Sequence, residues 1–309
     1  MIIAGVDIGT NTALMVVAEK HSDGSFSILK DEHSVPRLGE GIDFHGFIND
    51  NACARGVLSL QQFGAILHEL RVESVRAVAT SAMREATNGR DVLALLQSAL
   101  GWPIEIISGA DEARLTFLGS VGSAQEPTLM IDIGGGSTEY ALGVNGNVSI
   151  AVSAFIGAVR FTERFATEKP IPDKQIIAAR DLIGDQIALY RKDFRNSTMC
   201  VGVAGTPIAL AMIDKGLNTY DALALEGHVL SVDRVHELSA WLCSLTIDEL
   251  RSIPGIHERR ADIVPMGSVI LAESMRIFMC PTLRITTRGL RFGAMFTAEN
   301  TEQSLRIID

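Results

Sequence analysis

The stretch Leu129–Gly143, LMIDIGGGSTEYALG, joins two apolar runs through a glycine-rich turn that is flanked by acids. A looser copy, AGVDIGTNTALMVVAE, occupies Ala4–Glu19. In both copies Asp-Ile-Gly precedes a small polar turn and a second apolar run, and the two aspartates, Asp7 and Asp132, are 125 residues apart. The repeat predicts two β-hairpins with equivalent tips, one in each half of the chain.

Strands and helices alternate after each hairpin, so both halves share one plan. Apolar runs predict further strands at 26–35, 75–80, 104–108, 148–155 and 199–203. Helical spacing predicts helices at 49–72, 91–100, 158–166, 173–194, 233–245 and 267–278. We therefore expect the α/β class, with two duplicated domains facing a central cleft. The first domain is predicted at 1–123, completed by a helix at about 292–309, and the second at 124–291.

The composition is that of an ordinary globular protein, with 309 residues, 47% of them apolar, and a net charge of −10. This acidic balance disfavours a general nucleic-acid binder, which needs a basic face. No apolar run reaches the ~18 residues that span a bilayer. Asp7 interrupts the place where an export signal needs its apolar stretch, so we expect a cytoplasmic protein without a membrane partner.

The four cysteines, Cys53, Cys200, Cys243 and Cys280, are far apart in the sequence and include no Cys-x-x-Cys pair. This spacing argues against a zinc site and a disulfide framework. It predicts buried, reduced thiols.

The two turns have the composition of anion-binding sites. Glycine permits close backbone approach, so the N–H groups of Gly134, Gly135 and Gly136 can converge on one point. Side-chain donors accompany both turns: Thr10, Asn11, Thr12, Ser137 and Thr138. Either turn alone is more simply an ordinary β-turn. Because the arrangement occurs twice, we interpret the turns as two nests for a multi-phosphate ligand.

Acids stand beside the predicted nests, where they would repel phosphate unless a cation lies between them. Mg²⁺ binds through one or two carboxylates together with phosphate oxygens and water. We therefore predict that Asp7, Asp132 and Glu139 hold Mg²⁺ or another divalent cation.

These motifs resemble those of a known superfamily. DIGTNT, DIGGGST and the later VAGTPIALA are similar to the two phosphate motifs and the Gly-Thr motif of the actin, Hsp70 and sugar-kinase superfamily. PRLGEGI, ATSAMREATN, ISGADEARLTFLG, MIDIGGGSTE and GLRFG, in that order, more closely resemble the exopolyphosphatase and guanosine pentaphosphate phosphohydrolase family. The resemblance runs over nearly the whole chain and implies two actin-like, ribonuclease H-like domains.

The resemblance implies a hydrolase that releases terminal phosphate from inorganic polyphosphate, or from guanosine pentaphosphate, by metal-assisted attack of water. The family's water-positioning glutamate matches Glu112. The sequence alone would make Glu112 a favourable acid in the first turn of a helix that follows Ser108. Gly205 and Thr206 match the superfamily's Gly-Thr motif and are candidate substrate ligands.

The chain departs from the family in two places. Longer members continue into an all-helical domain beyond the point where this chain ends, so we expect a short form that lacks this domain. Phe292 stands where the family's Gly-Leu-Arg-Glu-Gly segment has its acid, so any role of that acid is lost or moved. The sequence leaves a homodimer open.

Arginines supply further candidate phosphate ligands, since a guanidinium binds phosphate oxygens in bidentate fashion. Arg84 and Arg114 follow motifs of the first half, although Arg114 could simply pair with Asp111 three residues earlier. The segment Arg251–Arg291 holds seven arginines, three acids and no lysine. We predict that some of these arginines extend a phosphate track, with helix-surface charge as an equal alternative.

Two other classes of protein stay open. A small-molecule kinase of the same superfamily would share the nests, but it would use an aspartate base and usually more chain for an acceptor pocket. A nonhydrolytic regulator that binds nucleotide or polyphosphate would keep the nests without needing Glu112. The residues do not separate polyphosphate from guanosine pentaphosphate as a substrate.

Overall fold

The computed structural model describes residues 1–122 and 124–298. Contacts divide the chain into two compact units. Unit 1 contains Met1–Ser108 together with the chain from Leu290 onward, and unit 2 contains Gly109–Gly289. The α/β class is confirmed, because each unit has one mixed sheet with helices packed on it.

Unit 1 is built on a five-stranded sheet in the order β3-β2-β1-β4-β5. Its strands are β1 (Ile2–Ile8), β2 (Ala13–Lys20), β3 (Phe26–Ser34), β4 (Ser74–Ala79) and β5 (Ile104–Ile106). The predicted first hairpin is β1 and β2, which pair antiparallel, whereas β1 and β4 pair parallel. The helices in the described part of this unit are α1 (Ile42–His45), α2 (Asp50–Glu69), α3 (Ser81–Glu85), α4 (Gly89–Leu100) and α14 (Leu290–Phe296).

Successive side chains of β1 and β2 point to opposite faces of the sheet and pack into two separate hydrophobic cores. Ala4, Val6 and Ile8 pack with α2 and α4, whereas Ile3 packs with Phe292 and Met295 of α14 on the opposite face. Phe292, which replaces the family's acid, is therefore a core residue here. Gly5 allows this packing, because a Cβ there would lie 1.9 Å from the carbonyl oxygen of Arg291. The helix predicted at about 292–309 is thus seen against the first sheet as α14, which ends at Phe296, and the part of the prediction at 299–309 lies outside the described residues.

Unit 2 is built on a six-stranded sheet in the order β10-β11-β9-β6-β7-β8. Its strands are β6 (Thr128–Ile133), β7 (Thr138–Val144), β8 (Asn147–Ala154), β9 (Met199–Val203), β10 (Val229–Ser231) and β11 (Thr282–Ile285). The predicted second hairpin is β6 and β7. The helices are α5 (Gly109–Ser120), α6 (Ala158–Phe165), α7 (Asp173–Ile187), α8 (Arg191–Phe194), α9 (Gly205–Lys215), α10 (Ala222–Leu225), α11 (Val232–Cys243), α12 (Ile247–Ser252) and α13 (Val264–Ile277).

The central strand β6 is buried along its whole length. Leu129 and Ile131 face a large core that includes α13, whereas Met130 faces a smaller core with Ala113 and Phe117 of α5. Because side chains alternate along a strand, Asp132 lies on the same face as Met130, toward α5. The contacts of α5 with β7 and β8 also explain why this helix belongs to unit 2, although the predicted domain boundary followed residue 123. The limits of the actin-like domains themselves stay a prediction.

One expectation about the cysteines was wrong. Cys200 and Cys280 form a disulfide, while Cys53 and Cys243 carry thiols. Cys200 lies in β9, and Cys280 lies just before β11, the strand that pairs with β9. Pairing of these two strands brings together side chains that are 80 residues apart, which their spacing in the sequence could not reveal. Among the described helices, none is long and apolar enough to cross a membrane.

Candidate functional site

Three acids predicted as site residues meet on one face of the second sheet. Asp132 and Glu139 are directly opposite each other in the antiparallel β6–β7 pair. Glu112 lies in the first turn of α5, the helix that covers this face. Only 7% of Glu112, 9% of Asp132 and 1% of Glu139 is exposed. Three carboxyl groups are therefore held together in a place that water scarcely reaches.

Burial and charge repulsion raise the pKa values of Asp132 and Glu139 above their usual values. Burial raises the pKa of Asp132 to about 7, with a further contribution from the charge of Glu112, and the nearby Thr116 hydroxyl works against this rise. Burial, followed by repulsion from Glu112 and Asp132, raises the pKa of Glu139 well above its usual value. Ser153 donates its hydroxyl to Glu139 Oε1 at 2.7 Å and so fixes the orientation of this carboxyl. A bound cation or protonation would reduce the charge repulsion within this cluster.

The tip of the second hairpin follows Asp132 directly. Gly134 N–H donates to the carbonyl oxygen of Ser137 at 3.0 Å and closes the turn. The N–H groups of Gly135, Gly136 and Ser137 find no acceptor in the described part of the chain. The Thr138 hydroxyl is engaged elsewhere, since it donates to the carbonyl oxygen of Ile156. The second tip therefore offers three backbone donors beside the carboxyl cluster, as an anion nest requires.

The tip of the first hairpin has the same turn. Gly9 N–H donates to the carbonyl oxygen of Thr12 at 2.8 Å, which is the equivalent of the Gly134–Ser137 bond. Asn11 is only 4% exposed, yet neither its amide oxygen nor its amide nitrogen has a hydrogen-bond partner among the described residues. Thr10 packs its methyl group toward Gly39. Asp7 lies in β1 opposite Leu14, so the first hairpin lacks a counterpart of Glu139.

The predicted Gly-Thr motif begins α9. This helix follows β9, whose Val203 is the parallel partner of Asp132, so its N-terminus lies beside the second hairpin within unit 2. Ala204, the residue before the helix, has φ = 68°, a backbone conformation that residues other than glycine rarely adopt. Thr206 packs against Gly267 of α13 and is nearly buried.

Arg260 lies directly on Gly205. A Cβ on Gly205 would be 1.9 Å from Nη2 and 2.1 Å from Nη1 of this guanidinium. No described residue forms an ion pair or a side-chain hydrogen bond with it, and burial lowers the pKa of Arg260 to about 10. The helix N-terminus and the guanidinium both carry positive charge, so this part of unit 2 favours an anion.

Five of the other candidate arginines have identified protein partners. Arg84 Nη1 donates to the carbonyl oxygen of Ile107 at 3.0 Å. Arg114 pairs with Asp111 at 3.3 Å, as its simpler explanation predicted. In the arginine-rich segment, Arg251 contacts Asp248, Arg276 contacts Glu273 and Arg291 contacts Asp31. Arg260 differs from these arginines because it lies against Gly205 at the N-terminus of α9.

The carboxyl cluster suits a divalent cation in chemistry but is not a ready-made metal cage. Within residues 1–122 and 124–298, no group of three or more His, Cys, Asp and Glu side chains has the arrangement of a metal site. Mg²⁺, however, commonly uses only one or two protein carboxylates and takes its other ligands from phosphate and water. Asp132 and Glu139 fit that requirement, because they face each other and their charges lack compensation.

Comparisons with known proteins identify the family to which the chain belongs. The model of the Ppx/GppA phosphatase family matches residues 16–302, and the chain belongs to this family. Exopolyphosphatase 2 of Mycobacterium tuberculosis is 32% identical over 287 residues, which cover 89% of this chain and 90% of the relative. Family membership makes the chain a hydrolase.

Solved structures of exopolyphosphatases and Ppx/GppA proteins have a similar fold. The crystal structure of an exopolyphosphatase from Cytophaga hutchinsonii is similar with a TM-score of 0.88 and 28% identity, covering 96% of this chain and 97% of that one. The Aquifex aeolicus member of the Ppx/GppA family has a TM-score of 0.82 and 25% identity, covering 98% of this chain and 99% of that one. Each of these chains is covered almost completely, so the similarity extends through both units.

Some residues of the site were missed by the sequence analysis. Ser153 follows no motif, and its role depends on being the β8 partner of Glu139. Arg260 was noted only as one of seven arginines, and its contact with Gly205 spans 55 residues of sequence. The arginine-rich composition of residues 251–291 pointed to Arg260 as a possible site residue. No local sequence pattern pointed to Ser153.

Proposed function

We propose that this chain releases terminal phosphate from inorganic polyphosphate by attack of water. The observation that carries the proposal is the second hairpin tip, where three backbone N–H groups that have no acceptor among residues 1–122 and 124–298 lie beside three buried carboxyl groups. Phosphoryl transfer needs the phosphate chain to be held, its charge to be offset and a water molecule to be positioned. The named substrate of the relatives, polyphosphate, supports the same reaction here.

In this proposal Glu112 positions the attacking water. Its carboxylate is a hydrogen-bond acceptor on a rigid helix, beside the nest that would hold the terminal phosphate. Positioned acid–base groups typically contribute about 10²–10⁴-fold to rate.

Asp132 and Glu139 would hold a divalent cation, and Asp7 is the corresponding candidate in unit 1. Phosphatases of this family generally depend on a metal ion. Mg²⁺ is the proposed ion because it accepts carboxylate, phosphate and water oxygens together. Such a cation would supply positive charge to offset the phosphate, while the residues of the chain orient it.

The remaining candidates would bind the phosphate groups of the substrate. They are Thr10, Asn11, Thr12, Arg84, Gly134, Gly135, Gly136, Ser137, Gly205 and Thr206, whereas the Thr138 hydroxyl already donates to the carbonyl oxygen of Ile156. The buried amide of Asn11, which has no partner in the described part of the chain, supports this role for the first tip. Arg260 at the N-terminus of α9 supports it for the Gly-Thr motif. The Arg260 guanidinium and the N-terminus of α9 together would bind phosphate groups of the polyphosphate that are distant from the attacking water.

Substrate choice is tested by phosphate release with Mg²⁺ from long polyphosphate, tripolyphosphate, guanosine pentaphosphate and ATP, measured side by side. Long polyphosphate is expected to be hydrolysed fastest. Preference for guanosine pentaphosphate would make the chain a guanosine pentaphosphate 5′-phosphohydrolase, which the family name also covers. Tight binding of all four compounds without phosphate release would favour a nonhydrolytic regulator.

The metal assignment has its own test. Asp132→Ala and Glu139→Ala should each sharply lower phosphate release at limiting Mg²⁺, because each removes a proposed ligand. Asp181→Ala, at an exposed site on α7, is the matched control and should leave release unchanged. Near-normal activity of both site variants at limiting Mg²⁺ would show that the assignment is wrong.

A further inference from the structure

Behind each hairpin tip lies a short segment that follows the third strand of its unit. In unit 1 this is the segment 35–39, which follows β3. In unit 2 it is the segment 156–160, which follows β8 and enters α6. We call these two stretches the backing segments, because both donate hydrogen bonds to the carbonyl groups of the neighbouring tip.

The backing segment of unit 2 uses every carbonyl group of the three-glycine turn. Ala158 N–H donates to Gly134 at 2.9 Å, and Val159 N–H donates to Gly135 at 2.9 Å. Arg160 reaches the third carbonyl group through its side chain, since Nε donates to Gly136 at 2.9 Å. The turn is thus bonded along its rear side by the start of α6.

The backing segment of unit 1 donates to two carbonyl groups at equivalent positions of its tip, in both cases from backbone N–H groups. Gly39 N–H donates to Thr10 at 2.7 Å, and Arg37 N–H donates to Asn11 at 3.0 Å. Thr10 and Asn11 precede Gly135 and Gly136 by the same 125 residues that separate the two aspartates. The duplication therefore includes the support of each tip as well as the tip itself.

A glycine brings each backing segment into contact. A Cβ on Gly157 would lie 2.3 Å from the carbonyl oxygen of Gly135. A Cβ on Gly39 would lie 2.1 Å from Cγ2 of Thr10. A larger residue at 157 would therefore push against the backbone of the tip, whereas one at 39 would displace the Thr10 side chain.

The direction of each carbonyl group decides the direction of the next N–H group. A trans peptide unit is planar, so its C=O and N–H point in opposite directions. Fixing the carbonyl groups of Gly134, Gly135 and Gly136 therefore orients the N–H groups of Gly135, Gly136 and Ser137. These are the three N–H groups that lack an acceptor among the described residues.

We propose that the backing segments are positioning devices for the phosphate nests, with Gly157 and Arg160 as the positioning residues of unit 2. The proposal rests on the proposed function, because it takes the hairpin tips as phosphate sites. By holding the carbonyl groups to the rear, the backing segment keeps three donors aimed at one anion and keeps the carbonyl oxygens away from it.

The test uses two variants and one matched control. Arg160→Ala removes one rear hydrogen bond, and Gly157→Ala displaces the segment while keeping all charges. Arg164→Ala removes the same charge from the same helix at an exposed position that contacts Phe165. In protein labelled with ¹⁵N-glycine, the amide signals of Gly135 and Gly136 are followed while inorganic phosphate is added.

We expect wild type and Arg164→Ala to show the same phosphate-dependent shifts of both signals. Arg160→Ala and Gly157→Ala should bind phosphate about tenfold more weakly, the cost of about one hydrogen bond to a charged group. In polyphosphate hydrolysis both should raise KM more than they lower kcat. Should Gly157→Ala fail to fold, Arg160→Ala carries the test alone.

Two negative results are distinguishable. Normal shifts in wild type with unchanged affinity in Arg160→Ala would overturn the positioning role and leave the nest intact. A wild-type protein whose Gly135 and Gly136 signals ignore phosphate would overturn the proposed nest, and the positioning role with it. Weaker binding in Arg164→Ala equal to that in Arg160→Ala would reduce the effect to general charge and would also overturn the positioning role.

Discussion

Asp132 is held where a carboxylate is costly. The side chain lies in a fully buried strand, opposite Glu139 and under the helix that carries Glu112. Such a cluster opposes the folding of its own unit whenever it is ionised without a cation. Retaining three acids in this place makes physical sense if an ion or a phosphate-bound metal compensates them during function.

This arrangement predicts a pH-dependent stability of the metal-free protein. An unfolded aspartate has a pKa of 3.8, whereas burial raises the pKa of folded Asp132 to about 7. Between these values the folded protein binds a proton that the unfolded chain does not bind, so the free energy of unfolding falls as pH rises toward 7. The raised pKa of Glu139 acts in the same direction.

Melting temperatures between pH 5 and pH 8, with chelator and with Mg²⁺, check this prediction. Asp132→Asn should weaken the fall with pH, and Mg²⁺ should stabilise wild type more at pH 8 than at pH 5, because protons compete for the site. Asp181→Asn, at an exposed site, should behave as wild type. Equal stabilisation by Mg²⁺ at both pH values would contradict this account of the cluster.

At the scale of elements, Arg260 can lie against the N-terminus of α9 only because Gly205 has no side chain. Gly205→Ala would place a Cβ within 2.1 Å of three atoms of the Arg260 guanidinium and push it off the helix end. We expect weaker binding of long polyphosphate, by about tenfold, because a charge-assisted hydrogen bond would be lost or misplaced.

Calorimetric titration with polyphosphate and thermal melting of the same preparation measure this effect. Gly184→Ala is the matched control, since a Cβ there meets nothing within 4 Å and alanine favours a helix interior. It should bind polyphosphate normally and melt slightly higher. Gly205→Ala with normal binding would remove Arg260 from the substrate site.

The elements with strong periodic patterns were predictable from the sequence. Both Asp-Ile-Gly hairpins and the amphipathic helix α2 appear where alternation or helical spacing placed them. The short strands β10 and β11 were missed, because three or four residues give too few alternations to recognise. The helix predicted at 173–194 is interrupted after Ile187 by a 3₁₀ turn, which apolar spacing does not reveal.

The candidate site likewise contains residues that the sequence predicted and residues that it did not. Glu112, Asp132 and Glu139 stand in recognisable motifs, and the fold brings them together. The contacts made by Ser153, Arg160 and Arg260 join segments that are distant in the sequence, so no local pattern announced them. The disulfide between Cys200 and Cys280 was hidden for the same reason.

At the scale of the molecule, the protein and its proposed substrate carry charge of the same sign. A chain of net charge −10 repels a polyanion at a distance, so capture must depend on local positive charge. The segment Arg251–Arg291 reverses the sign locally, with seven arginines and three acids. Within it, Arg260 contacts Gly205 at the N-terminus of α9, a position that suits binding of an anion.

Binding of long polyphosphate should therefore weaken as salt rises, because exposed attraction is screened over about 10 Å at 0.1 M ionic strength. Affinity measured between 50 mM and 400 mM salt should fall less steeply for Arg260→Gln than for wild type. Arg251→Gln, at an exposed arginine that pairs with Asp248, is the control and should retain the wild-type dependence. A salt-independent affinity of wild type would rule out an arginine track.

The central claim is that the buried carboxylate of Glu112 positions water for hydrolysis of a phosphate held by the tip of the second hairpin. Glu112→Gln preserves the shape of the side chain and removes its charged acceptor. Turnover of polyphosphate with saturating Mg²⁺ should fall about 10²–10⁴-fold, while substrate affinity changes little or improves because an anion is removed. Melting temperature is recorded on the same preparation.

The contrary outcome is equally definite. A first-turn acid with only a structural role would contribute up to about 1 kcal/mol through the helix dipole and leave turnover near normal. Phosphate release by Glu112→Gln that is reduced by the predicted factor, with binding and melting preserved, is the result this account predicts. Unchanged phosphate release with a lowered melting temperature would contradict it.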